Sequence, residues 1–176
     1  MSAVIVTLRV LTGDPTQMHQ LQQVMERAPG YYERIAGSPP GPAEAQSTFS
    51  ALPEGRGYAD KRVLGIWADD AMVGCADLIR AYPDPKAVTL GLFLIVEERQ
   101  RQGIGRRAFH LVEGVAKDWG GCARLRLGVV RANEHVMAFW ISQGFQPTGQ
   151  VRLWRHGSVA SEVVYLEKRF SSLATK

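Results

Sequence analysis

The chain has 176 residues, enough for one well-buried core and too few for two ordinary domains, so residues 1–176 read as a single domain. Hydrophobic residues at 45% and charged residues at 22% are globular values, and they exclude a chain that is disordered or coiled-coil throughout. A formal net charge of +4 permits binding to polyanions without requiring it.

The opening "MSAVIVTLRV" carries no basic leader and no long apolar stretch, so no secretory signal is expected and a cytoplasmic location is the default. Within it, "VIVTLRV" (4–10) is rich in β-branched residues and predicts a first strand. A helix follows, with Asp14 as cap, Pro15 in the first turn, and Met18, Leu21, Met25 and Ala28 on one face. Pro29-Gly30 ends it, and "YYERIAG" offers one or two further turns. Between residues 37 and 57, Pro39, Pro40, Pro42 and Pro53 predict a connector with one short helix. "RVLGIW" and "MVGCADLIR" then form a hairpin about a turn at Asp69-Asp70, where aspartate is a natural turn residue. "AVTLGLFLIV" (87–96) is the most apolar strand, and its continuous hydrophobicity predicts a central position covered on both faces.

A helix beginning near Gly103-Gly105 places Ile104, Ala108, Leu111, Val112, Val115 and Trp119 at helical spacing. Leu125, Leu127 and Val129 alternate with Arg124 and Arg126 in the next strand. "ANEHVMAFWISQGF" is a shorter helix with Asn133 as a candidate cap and Gly144 as its stop. "VRLWR" and "EVVYLEKRF" flank a turn at "HGS". The longest apolar run, Leu92 to Val96, is far short of the ~20 residues of a membrane span, so no membrane partner is expected. Cys75 and Cys122 lie outside any metal spacing, and His19, His110, His135 and His156 form no ligand pattern, so no metal is expected.

The densest signal is "EERQRQGIGRRAF" (97–109), where Arg99, Arg101, Arg106 and Arg107 flank Gly103 and Gly105. A helix start leaves its first N–H groups unpaired and carries about half a positive charge, and glycines let a phosphate approach it. Basic residues gathered beside glycines suit a compact phosphate group better than a nucleic-acid backbone, so no nucleic-acid partner is expected. A Walker loop fails, because Arg106-Arg107 follow Gly105 where Lys-Ser or Lys-Thr is needed. The dinucleotide pattern is met loosely by Gly103, Gly105 and Ala108, but these lie well past Val96 and no acidic residue closes the next strand. A plain strand-to-helix turn stays open.

"QRQGIG" (100–105) resembles the Q/R-x-x-G-x-G/A signature of the GNAT superfamily of acyl-CoA-dependent N-acyltransferases, and "NEHVMAFWISQGF" is similar to its later Asn-helix-Gly-Phe segment. The resemblance implies an α/β (α+β) fold: one domain with a mixed, mostly antiparallel central sheet of about seven strands flanked by helices. It implies acetyl-CoA as cosubstrate, its diphosphate on the stretch Arg101, Gln102, Gly103, Ile104, Gly105 and Arg106. It places the pantetheine amides on backbone at Leu94, Ile95 and Val96, with Asn133 and Trp140 near the cofactor. It implies that strands 87–96 and 124–130 splay apart beside the thioester, and that the amine of a small-molecule or peptide acceptor attacks directly in a ternary complex. A homodimer is left open.

A protonated amine with a pKa near ~10.4 needs a base. Candidates are Glu97, its neighbour Glu98, and Asp77, although the first two also read as surface charges and the third as a solvent-facing strand residue. Trp140 stands where much of the family has a proton-donating tyrosine; an indole is no acid, so water or Tyr165 is the substitute. The family chooses its acceptor between the first two helices and on nearby loops, which points to Tyr31, Tyr32 and Arg34, with Arg80 and Tyr82 at a strand end. A non-catalytic acyl-CoA-binding module is the alternative, motivated by Trp140.

Overall fold

The computed structural model describes residues 4–171. The strands are β1 (Val6–Val10), β2 (Lys61–Ala68), β3 (Ala71–Arg80), β4 (Ala87–Ile95), β5 (Arg124–Val130), β6 (Gln146–His156) and β7 (Val159–Arg169). They form one seven-stranded sheet in the order β1-β2-β3-β4-β5-β7-β6. Every neighbouring pair is antiparallel except β4–β5. The helices are α1 (Pro15–Glu26), α2 (Pro29–Ala36), α3 (Glu44–Ser50), α4 (Ile104–Asp118) and α5 (Met137–Ser142).

Local chemistry sets the helix ends. Asp14 Oδ1 accepts from the Gln17 amide at 3.0 Å and caps α1, as the Asp-Pro pair predicts. Pro29 opens α2, and Gly37 closes it at φ +80°, a left-handed conformation that costs glycine little. The connector folds its one short helix, α3, onto α1, where the Gln22 side chain accepts from the Ala45 amide at 3.0 Å and donates to the Gly41 carbonyl at 2.9 Å.

Two apolar clusters hold the sheet between helical layers. Leu21, Val24 and Met25 of α1 pack with Val63 and Cys75, whereas Phe109, Val112 and Ala116 of α4 pack with Leu64, Ala76 and Leu125. Adjacent strand residues point to opposite faces, so α1–α3 cover one face and most of α4 with α5 covers the other. Two expectations shift here. Leu111, assigned to the apolar stripe of α4, is 38% exposed, while Phe109 is buried at the centre of the second cluster. Strand β6 begins at Gln146, earlier than "VRLWR" suggests, because an almost wholly exposed edge strand has no apolar face to announce its start.

Candidate active site

The β4–β5 pair is the place where the sheet comes apart. Its parallel pairing covers only Ala87–Thr89 against Arg124–Arg126, although β4 runs on to Ile95 and β5 to Val130. The reason lies in β4. Its register with β3 passes from Leu90 opposite Leu78 to Leu92 opposite Asp77, so Gly91 is a bulged residue without a partner. A bulge bends its strand, and a glycine inside a strand is its usual signature. Continuing the β4–β5 register places Gly91 level with Gly128, and both are exposed on otherwise buried strands. The edges of β4 and β5 beyond this point face a cavity of about 820 Å³.

At the C-terminal end of β4 the chain turns into α4 through Arg101 at φ +60° and Gly103 at φ +78°. No side chain caps α4, so the amides of its first turn stay open toward the cavity, which Gly103, Gly105, Arg101 and Arg106 line. A Cβ placed on Gly103 meets no atom within 4 Å, which leaves the approach to these amides clear. Open amides, a helix N-terminus and two guanidinium groups make a fitting seat for a diphosphate. Gln100 fixes the loop by donating from Nε2 to the Ile95 carbonyl at 2.8 Å.

On the α2 side of the gap, two candidate catalytic residues lie beside the two glycines. Asp77 Oδ2 sits 3.3 Å from where a Gly91 Cβ would be, and its other oxygen accepts from Lys61 Nζ at 2.7 Å. Burial raises the Asp77 pKa above the ordinary carboxylate range, against the opposing pull of the Lys61 charge and hydrogen bond. Tyr165 pairs with Gly128 across β5–β7, its ring 3.3 Å from where that glycine's Cβ would be and 4.1 Å beneath the Arg126 guanidinium. Trp140 lines the cavity from α5 within an aromatic group formed with Phe93, Phe109, Phe139 and Phe145.

Of the residues singled out in the sequence, the cavity walls gather Tyr31, Arg34, Leu94, Ile95, Arg101, Gly103, Gly105, Arg106, Asn133 and Trp140. Others have different work. Glu97 Oε1 accepts from the Gly30 amide at 2.8 Å and caps α2, so its carboxylate is engaged as a structural anchor, and Glu98 pairs with Arg27. The Val96 amide donates to Val73 and its carbonyl accepts from Arg99, so the pantetheine contact expected there has no free donor. The Gln102 side chain donates to the Glu98 carbonyl, away from the cavity, and the Ile104 side chain is fully buried, which leaves only its amide to face a ligand. Tyr32 is buried behind Tyr31, its ring edge-on at 5.1 Å. Arg80 pairs with Asp60 and packs over Trp119, and the Tyr82 carbonyl accepts from Thr89 Oγ1. Both lie at the N-terminal end of β4, remote from α2. Asn133 caps no helix; its Oδ1 accepts from Arg34 Nε at 2.7 Å.

Gln100, the first residue of the signature, lines the cavity too, as do Gly91, Gly128, His135 and Phe139, to which the sequence assigned no site role. The usable signal was the isolated glycine within each strand.

The profile of the Acetyltransferase (GNAT) family matches residues 21–145, and the chain belongs to that family. No curated protein matches it in sequence. An acetyltransferase from Thermus thermophilus shares 24% identity at a TM-score of 0.71, covering 96% of this chain and 100% of that one. The ribosomal-protein-S18-alanine N-acetyltransferase from Escherichia coli shares 17% at 0.70, with 98% of each chain covered. An acetyltransferase from Bacillus subtilis in complex with CoA shares 12% at 0.61, covering 95% of this chain and 100% of that one. At these identities the likeness is one of fold.

Proposed function

We propose that this chain is an N-acetyltransferase that moves an acetyl group from acetyl-CoA to a primary amine by direct attack in a ternary complex. The observation that carries the reading is the bulge-driven parting of β4 from β5 directly beside the uncapped start of α4. Acetyl-CoA supplies the activated acyl group. The amides of Gly103 to Arg106, with the Arg101 and Arg106 guanidinium groups, hold its diphosphate, and the unpaired edge of β4 from Gly91 to Leu94 takes its amide-bearing arm. The amine enters from the α2 side. Asp77 accepts a proton from the ammonium group: desolvation makes its carboxylate a stronger base than an exposed one, and Lys61 holds it in place. Tyr165, on the Gly128 side of the gap, is the proton donor to the departing sulfur. Trp140 shapes the wall and gives no proton.

Thiol release from acetyl-CoA, followed over a panel of amines, tests the reading. Amine-dependent release is expected; saturable CoA binding with no release from any amine would instead establish the non-catalytic binding module that Trp140 favours. Replacing Gly103 by valine tests the cradle. At φ +78° a β-branched residue is strained by roughly 1–2 kcal/mol, so the first turn shifts and CoA affinity falls while the melting temperature drops by only a few degrees. Unchanged affinity in calorimetry would refute this placement of the diphosphate.

A further inference from the structure

The cavity walls carry a charge pattern that selects the acceptor. Arg34, Arg101 and Arg106 line the cavity, and among the described residues no aspartate or glutamate does. None of the three has an ion-pair partner among the described residues, although Arg27, Arg80, Arg124, Arg126 and Arg131 all do. Arg101 and Arg106 belong to the diphosphate cradle at the start of α4. Arg34 enters from α2, on the face where Asp77 and Tyr165 lie, so the cradle leaves it unclaimed. Two carboxylates come near, and both are engaged elsewhere. Asp77 is matched by Lys61, and Glu97, which approaches the Arg34 guanidinium at Gly30, binds the Gly30 amide and makes no ion pair with it.

Arg34 is also held in position. Its Nε donates to Asn133 Oδ1 at 2.7 Å, and Asn133 is only 6% exposed. The helix that carries it is tied at three further points: Glu97 accepts from the Gly30 amide, the Trp154 indole donates to the Ile35 carbonyl at 2.7 Å, and the Ser158 amide donates to the Ala36 carbonyl at 3.1 Å. With Nε on Asn133 and Nη1 close to Gly30 and Glu97, the Arg34 guanidinium keeps its remaining N–H groups for an anion in the cavity it lines, a carboxylate or a tetrahedral oxyanion. A polycationic acceptor would meet three guanidinium groups and no compensating acid on the cavity wall. We infer that Arg34 is the specificity residue for an acceptor amine that carries its own anionic group, of the amino-acid type, with the carboxylate on Arg34 and the amine toward Asp77. This inference rests on the acetyltransferase reading above.

The test compares amino acids with their carboxamides, the corresponding decarboxylated amines, aminoalkylphosphonates and spermidine, in wild type and in Arg34→Gln and Arg34→Lys, with acetyl-CoA affinity measured separately by calorimetry. The expected result is that amines bearing an anionic group exceed their decarboxylated partners by about ten- to hundredfold in kcat/KM, the yield of a charge-assisted hydrogen bond. Carboxylate and phosphonate arms then show which anion the guanidinium prefers. Arg34→Gln should erase the preference, chiefly through KM, with acetyl-CoA affinity unchanged and the melting temperature lowered by a few degrees through loss of the Asn133 hydrogen bond, and Arg34→Lys should restore part of the preference. Equal turnover of decarboxylated amines or spermidine overturns the inference, as does loss of acetyl-CoA affinity in Arg34→Gln, which would assign the guanidinium to the coenzyme. Acetyl-CoA binding without turnover of any anionic amine defeats the inference and spares the cofactor site, whereas failure to bind acetyl-CoA defeats the parent reading.

Discussion

The Tyr32 hydroxyl is buried with no hydrogen-bond partner, and burial raises its pKa far above that of an ordinary phenol. An unsatisfied buried polar atom costs about 1–3 kcal/mol, while its removal with shape kept is nearly neutral or stabilising. Tyr32→Phe is therefore expected to raise stability by up to about 1 kcal/mol in urea unfolding, with turnover unaffected. Asp77 offers a second test at this scale. Its pKa is higher folded than unfolded, so the stability it contributes is fully present below the unfolded value near ~3.9 and is lost as pH rises through the folded value. In the proposed mechanism catalysis runs the other way: the ionised base is needed, so kcat/KM falls as pH drops through the raised pKa. Asp77→Asn should remove that acid limb and lower kcat by about 10²–10⁴-fold. It also leaves Lys61 buried without its counter-charge, at about 3–5 kcal/mol of stability, so the pH profile and the melting curve are to be read together. The residues themselves explain what was legible. The Asp14 cap and the Gly103-Gly105 helix start follow from local rules. The roles of Glu97 and Asp77 depend on partners 67 and 16 residues away and could not be read from neighbours.

Helix α2 and strand β4 show what elements add. Trp154 reaches from edge strand β6 to the Ile35 carbonyl, a contact spanning 119 residues. Trp154→Phe removes that bond while keeping most of the packing, at about 1 kcal/mol. The expected outcome is a slightly lower melting temperature and a raised KM for the acceptor, with acetyl-CoA affinity unchanged, since the proposed mechanism puts the acceptor against α2 and the diphosphate on α4. Strand β4 was readable as central and apolar, yet its function lies in its one irregularity. Hydrophobicity alone reads 87–96 as continuous, because the bulge at Gly91 appears only as a register change against β3. Alternating apolar residues likewise announce β5, whereas β6, exposed along nearly its whole length, gives no periodic signal.

Across the whole molecule, element order and the two-layer cover of the sheet were legible, because long apolar runs and amphipathic helices are dictated by burial. The parting of two neighbouring strands was implied by the family resemblance and by no residue spacing, since it is a relation between Gly91 and Gly128, far apart in sequence and each ordinary by itself. No helix among the described residues is long and apolar enough to cross a membrane.

The opening between β4 and β5 has one further property. Free strand borders at the rim of a sheet invite other chains to add on and aggregate. This border lies inside the sheet, between walls supplied by α4 and α5 and by α2, and not at its rim. In the proposed reading the amide-bearing arm of the coenzyme takes the place of the missing neighbour strand, so the chain offers strand-like pairing without exposing an outer edge to aggregation.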